Sequence, residues 1–155
     1  VIWVMTWYDP GKEADAARAL INQGADIITQ HTDSPAPLQT AAEKGIFGFG
    51  QASDMIAFAP DTQLTSIMDN WGPYYVSRVK SFLDGTWDSS DTWGGMDTGM
   101  VGMAPFTNMP FNVKLKAESL TEEILKGRFK PFGDTTDGEL LGMMDYLDGI
   151  DATKP

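Results

Sequence analysis

Four short apolar runs, interleaved with helical stretches, constrain the fold of this chain more than any other feature. Val1–Thr6, Ala25–Gln30, Ile46–Gly50 and Gln63–Met68 are short and mostly rich in β-formers, and each reads as a strand. After the first comes Asp9-Pro10, an N-cap followed by proline at the first helical position. Ala14, Ala17, Leu20 and Ile21 then share one helical face, and Gly24 stands where a helix-ending glycine belongs. Ser34-Pro35 repeats the device and predicts a second helix running to Lys44-Gly45. Gln51–Asp61 reads as a loop. Gly72-Pro73 opens a third helix, striped by Val76, Val79, Phe82 and Leu83 and ended by Gly85. Runs that are apolar throughout are what parallel strands need when both faces are covered. The order predicts an α/β fold, a Rossmann-like parallel sheet flanked by helices.

The rest of the chain is less regular. Residues 86–112 are rich in Met and Gly and contain Trp87 and Trp93, a composition that suits packing better than a cofactor box. Gly99–Ala104 is a candidate fifth strand. Ser119-Leu-Thr-Glu122 fits a capping box and predicts a short helix from there to Lys126-Gly127. Residues 128–138 are turn-like, and Leu140–Leu147 is a candidate last element.

Composition removes several function classes. With 155 residues and 42% hydrophobic content, the chain has enough apolar material for one core of ordinary size. The net charge of −11 argues against nucleic acid and against anionic membrane surfaces, both of which need clustered Lys and Arg. There is no Cys, hence no disulfide, no thiolate metal site and no Cys nucleophile. No run approaches the ~18 apolar residues of a membrane-spanning helix. The chain opens on a strand with neither initiator Met nor leader, as the interior of a longer protein would.

Open parallel sheets bind ligands beyond the carboxyl ends of their strands. Those ends here carry Trp7-Tyr8-Asp9, His31-Thr32-Asp33-Ser34, Gln51-Ala52-Ser53-Asp54 and Asp69-Asn70-Trp71. Asp9 is better placed as a helix cap. Trp7, His31, Asp33, Asp54, Asn70 and Trp71 remain as candidate ligand contacts. Indole faces stack on planar rings, and carboxylates accept hydrogen bonds from ring N–H, exocyclic amine or sugar hydroxyl groups. No Lys, Arg or glycine-rich phosphate loop lies at these ends, so a phosphorylated ligand is not expected. Asp54 also suits an Asx turn. His31 and Asp33 alone are too few for zinc, and neither metal nor cofactor is expected. Ser53, His31 and Asp54 could form a triad on paper, but no G-x-S-x-G elbow accompanies them. The expected role is binding rather than catalysis.

Several segments carry a resemblance: Thr6-Trp-Tyr-Asp-Pro-Gly-Lys-Glu13, Gln23-Gly-Ala-Asp-Ile-Ile-Thr-Gln-His-Thr-Asp-Ser-Pro35, Gly50-Gln-Ala-Ser-Asp-Met55, Asp69-Asn-Trp-Gly-Pro-Tyr-Tyr75, Gly85-Thr-Trp87 and Thr92-Trp-Gly-Gly95. Together they resemble the BMP family, the basic-membrane-protein-type substrate-binding proteins of ABC importers, which include purine nucleoside receptors. The resemblance is dense over residues 1 to about 110 and looser beyond. It implies one lobe of a type I periplasmic-binding-protein fold over 1–110. Residues 111–155 would then pack on that lobe or return toward a first lobe that precedes this chain. It further implies a nucleoside-like or nucleobase ligand in an interlobe cleft, a membrane permease as partner, and a periplasmic or extracytoplasmic, membrane-anchored location. Trp7 corresponds to an aromatic that sandwiches the base, and Asp54 to an acid that holds ribose hydroxyls. His31-Thr32-Asp33 replaces a glycine-rich turn of some relatives, and Asp69-Asn70-Trp71 replaces an end that carries Lys in some. A small-molecule sensor domain of the same fold and a small α/β enzyme are the alternatives.

Overall fold

The computed structural model describes residues 1–144 and 146 and contains a mixed four-stranded sheet with flanking helices. Helix α1 spans Pro10–Asn22. It starts where the sequence places its cap: the Asp9 carboxylate accepts the Lys12 backbone N–H at 3.1 Å. Gly24, at φ 101°, closes the helix by donating its N–H to the Ile21 carbonyl at 2.9 Å. Strand β1 is Ile27–Ile28, α2 is Ala36–Glu43, β2 is Phe47–Gly50 and β3 is Gln63–Asp69. Helix α3 is Trp71–Leu83, β4 is Val101–Met103, α4 is Phe111–Leu125 and α5 is Asp137–Leu141.

The sheet order is β1-β2-β3-β4, and the first three strands are parallel. β3 outruns β2. Its first half pairs with β2, with Gly50 opposite Ser66, and its last three residues pair with β4, with Asp69 opposite Val101. The β4 pairing is antiparallel, so the sheet is mixed, with parallel pairing dominant as the α/β reading expects. Strand direction is set by how the 86–100 connection returns, and local composition does not encode that. Past β4 the chain keeps following β3. Ala104 N–H reaches the Ser66 carbonyl, Thr107 N–H reaches the Leu64 carbonyl, and Thr65 donates its hydroxyl to the Ala104 carbonyl at 2.7 Å.

α1 and α2 pack on each other, and α2 rests on β2 and β1. Ala17, Ile28 and Ala41 form one buried cluster, bordered by Leu20, Ile21, Ala25 and Ile46. Leu38, Met55 and Ala59 form a second. Gly48 passes directly beneath Leu38, and a Cβ built there would stand 2.8 Å from its Cδ1. The predicted stripe of α3 is present as a helix face, yet Val76, Val79, Phe82 and Leu83 are exposed. A helix forms from local signals, but its apolar stripe is buried only where a partner element meets it.

Four further expectations change. Val1–Thr6 is not a strand: Met5 sits in the left-handed region at φ 54°, and the run faces α1 and β1 across a cavity of about 780 Å³. β-formers make a strand only where a ladder receives them. Here the Trp3 indole N–H donates instead to the Tyr146 hydroxyl. Ser34 stands one residue before the cap position of α2, which Pro35 occupies; its hydroxyl accepts the Ala36 N–H at 3.3 Å. Ser119-Leu-Thr-Glu122 lies inside α4, which begins earlier, directly after Pro110. The capping box is found at Thr136 and Glu139, in the stretch read as turns: Thr136 Oγ1 accepts the Glu139 N–H, and the Glu139 carboxylate accepts the Thr136 N–H at 2.7 Å. Of the predicted Leu140–Leu147 element, Leu140 and Leu141 end α5, and residues 145 and 147 lie outside the described residues.

The Asp9 cap yields a pH prediction. The Lys12 backbone N–H, and secondarily the Lys12 charge, hold the Asp9 carboxyl below its usual value. A carboxyl with a depressed folded-state pKa contributes stability that is fully present above its unfolded value and is lost as pH falls through the folded one. Thermal unfolding followed from neutral to acid pH is therefore expected to show a shallower acid-side loss in Asp9→Asn than in the unaltered chain. Identical pH slopes would remove Asp9 from this role.

Candidate functional site

The loop that follows β1 is shaped by its own side chains. The Gln30 amide donates to the carbonyls of Thr32, at 3.0 Å, and Ser34, at 2.7 Å. This folds Thr29–Ser34 into a tight arch that leaves His31 and Asp33 exposed. The turn before α1 docks against the arch: Asp33 N–H donates to the Trp7 carbonyl at 2.9 Å. The Trp7 indole and the His31 ring meet edge to face, centroids 6.0 Å apart and planes at 71°. Trp7 is nevertheless 69% exposed. Three candidate residues, Trp7, His31 and Asp33, are thus gathered at one place, with an aromatic face and a carboxylate turned to solvent.

Asp54 stands on the loop after β2. Its Oδ1 accepts the Ile56 backbone N–H at 3.1 Å, an Asx turn, and the Gln63 amide at 2.8 Å. Gln63 is itself 1% exposed and reaches Asp54 alongside Gly50. A Cβ at Gly50 would lie 2.3 Å from Ser66 Oγ and 3.0 Å from Gln63 Oε1, so this position has no room for a side chain. The Asp69 N–H then ties the end of β3 to the Ala52 carbonyl at 3.0 Å.

Asn70 and Trp71 form a second gathering beyond β3. Asn70 donates its backbone N–H to the Met100 carbonyl at 2.8 Å and its amide to the Gly99 carbonyl at 3.1 Å, which pins the approach to β4. Trp71 stacks on Tyr75 at 5.8 Å with planes 21° apart, and meets Tyr74 edge to face at 6.0 Å. Among the described residues no hydrogen bond or ring contact joins this gathering to the one around Trp7. Nor does any cluster of three or more His, Asp or Glu there form a metal-binding group. No helix among them is long and apolar enough to cross a membrane.

Glu13, Gln63 and Tyr75 also belong to these gatherings, although strand-end reading passes over them. Glu13 carried a signal: spaced four and seven residues before Ala17 and Leu20, it puts a carboxylate on the apolar stripe of α1. Tyr75 follows Trp71 by four residues, the spacing at which helical side chains meet.

A mixed, mostly parallel sheet with flanking helices defines an α/β, Rossmann-like lobe. The chain belongs to the Bmp family: the family model described as ABC transporter substrate-binding protein PnrA-like matches residues 1–130. It is 55% identical over 171 residues to a purine-binding protein of Brucella abortus, covering all of this chain and 49% of that protein. It is 30% identical over 162 residues to a Haloferax volcanii ABC transporter protein named for glucose binding, covering all of this chain and 41% of that one. The crystal structure of an ABC transporter solute-binding protein from Aeropyrum pernix shares the fold, with a TM-score of 0.66 at 14% identity over 83% of this chain and 46% of that one. The chain spans about half the length of the curated relatives it matches.

Proposed function

We propose that this chain forms one jaw of a cleft that captures a purine base or nucleoside for an ABC importer, outside the cytoplasm, and hands it to a membrane permease. The observation that carries the reading is the exposed Trp7 ring braced by His31 beside the Asp33 carboxylate. A planar face beside an acceptor suits a flat ring that bears N–H groups. The Brucella abortus relative, named for purine binding, supports the same ligand class. In this reading the opposite jaw comes from the part of the relatives' length that this chain does not span, and 111–155 packs on the lobe or returns toward that part. Asp54, Asn70 and Trp71 act as contacts for the remainder of the ligand. Closure of the two jaws would favour the ligand-bound state by differential affinity.

Calorimetric titration of the two-lobed protein with adenine, inosine and glucose tests the proposal. Heat of binding from adenine or inosine, with none from glucose and no product formed on incubation, is the expected result. Saturable binding of glucose alone would assign the cleft to sugars, and turnover of inosine would assign it to catalysis.

A further inference from the structure

We infer that Glu13 is the positioning residue of the Trp7–His31 edge, a buried carboxylate that fixes two separate loops in one arrangement. Glu13 is 2% exposed and Ser34 fully buried. One carboxylate oxygen, Oε1, accepts the Asp9 backbone N–H at 2.8 Å, in the turn that carries Trp7. The other, Oε2, accepts the Ser34 hydroxyl at 2.6 Å and the Ser34 N–H at 3.3 Å, at the foot of the arch that carries His31 and Asp33. The side chain therefore ties the turn at Asp9 to an arch whose Ser34 lies 21 residues along the chain from Glu13 itself. Above it, among the described residues, one backbone bond joins the two segments directly, Asp33 N–H to the Trp7 carbonyl.

A carboxylate is an odd choice for scaffolding alone. Burying a charge is costly unless hydrogen bonds compensate it, and the next turn of the same face uses Ala17. What an ionised carboxylate offers is two acceptor oxygens and no donor, so it takes three donors at once. Glutamine has the same shape but a single acceptor oxygen, and its NH₂ would face donors. Glu13→Gln therefore keeps the volume and breaks one of the two arms. Ser34→Ala breaks the other side of the same link.

The role rests on the proposed function only for its ligand readout, so the test has two arms. In the first, nuclear Overhauser contacts between the Trp7 indole and the His31 ring are measured on this chain. They are expected to weaken in Glu13→Gln and Ser34→Ala, and to vanish in Glu13→Ala, with the circular dichroism spectrum retained. Ser34→Ala added to Glu13→Ala should change little further, because the two groups share one link. Unchanged ring contacts in folded Glu13→Gln and Ser34→Ala would overturn the inference, even if both lower the unfolding temperature. Those two variants decide the question should Glu13→Ala fail to fold. In the second arm, adenine affinity of the two-lobed protein is expected to fall tenfold or more in Glu13→Ala. Absence of adenine binding to the unaltered protein would sink the purine reading and leave the ring-contact arm standing.

Discussion

Leu38→Ala is expected to lower the free energy of unfolding by about 2–5 kcal/mol, the range for emptying a fully buried leucine site. Leu38 has no exposed surface and joins Met55 and Ala59 in one of the two buried clusters. It also lies on Gly48 of β2, so it locks α2 to the sheet at a place where the strand has no side chain to offer. The backbone beneath cannot rise to fill the space, since β2 is held between β1 and β3. Urea denaturation measures the effect. The same geometry predicts a coupling of unusual sign. Gly48→Ala alone sets a methyl 2.8 Å from Leu38 Cδ1 and 3.3 Å from the Ile28 carbonyl, an overpacking that costs about 1–3 kcal/mol. In the Leu38→Ala background the closer obstacle is gone. The double variant should be more stable than the sum of the two losses. Strict additivity would mean that α2 shifts off the sheet instead.

Trp7→Ala is expected to weaken purine binding by the two-lobed protein at least about 30-fold, as loss of an aromatic anchor worth ~2 kcal/mol would. Trp7 meets the His31 ring in a T-shaped contact and accepts the Asp33 N–H through its backbone carbonyl, so removing the side chain spares the Asp33 bond. The variant should fold normally. The chain has five Trp, and an adenine-induced fluorescence change that disappears in Trp7→Ala locates the reporter as well as the contact. Trp7→Phe, which restores a planar face, should recover most of the affinity. Undiminished affinity in Trp7→Ala would remove this ring from the cleft and shift attention to Trp71 and Tyr75.

Much of the fold was readable locally because local chemistry sets it. Asp9-Pro10 and Gly24 bound α1 through backbone groups that they cap themselves. What local composition leaves open depends on distant partners. Val1–Thr6 has strand composition but no ladder in this structure, and β4 has strand composition with a direction imposed by a long return. The S/T-x-x-E matches at Thr40, Ser119 and Thr136 look alike in sequence, and of the three only Thr136 stands where a helix begins. The candidate site divides in the same way. The six candidate residues were picked from expected strand ends, although no strand precedes Trp7 in this structure, whereas their supports were not picked. A Glu in a chain of charge −11 reads as solvated surface; the place of Glu13 on the stripe of Ala17 and Leu20 hints otherwise, and the docked arch of Ser34 supplies the partner that makes it interior.

β3 is paired along its length, to β2 over Gln63–Ser66 and to β4 over Ile67–Asp69, and its buried Gln63–Ser66 half is also bonded on the far side by Ala104 and Thr107. That arrangement sets an order of opening. The two-residue edge strand β1 and the exposed turns of α3 can fray while β3 keeps its bonds to β2, to β4 and to the segment after β4. Its amides will therefore be the slowest to trade protons for deuterons in heavy water, at a rate that reports collapse of the whole sheet. The arch beside β1 that carries His31 and Asp33 belongs to the faster-breathing margin, so it can open while the midline of the sheet remains intact.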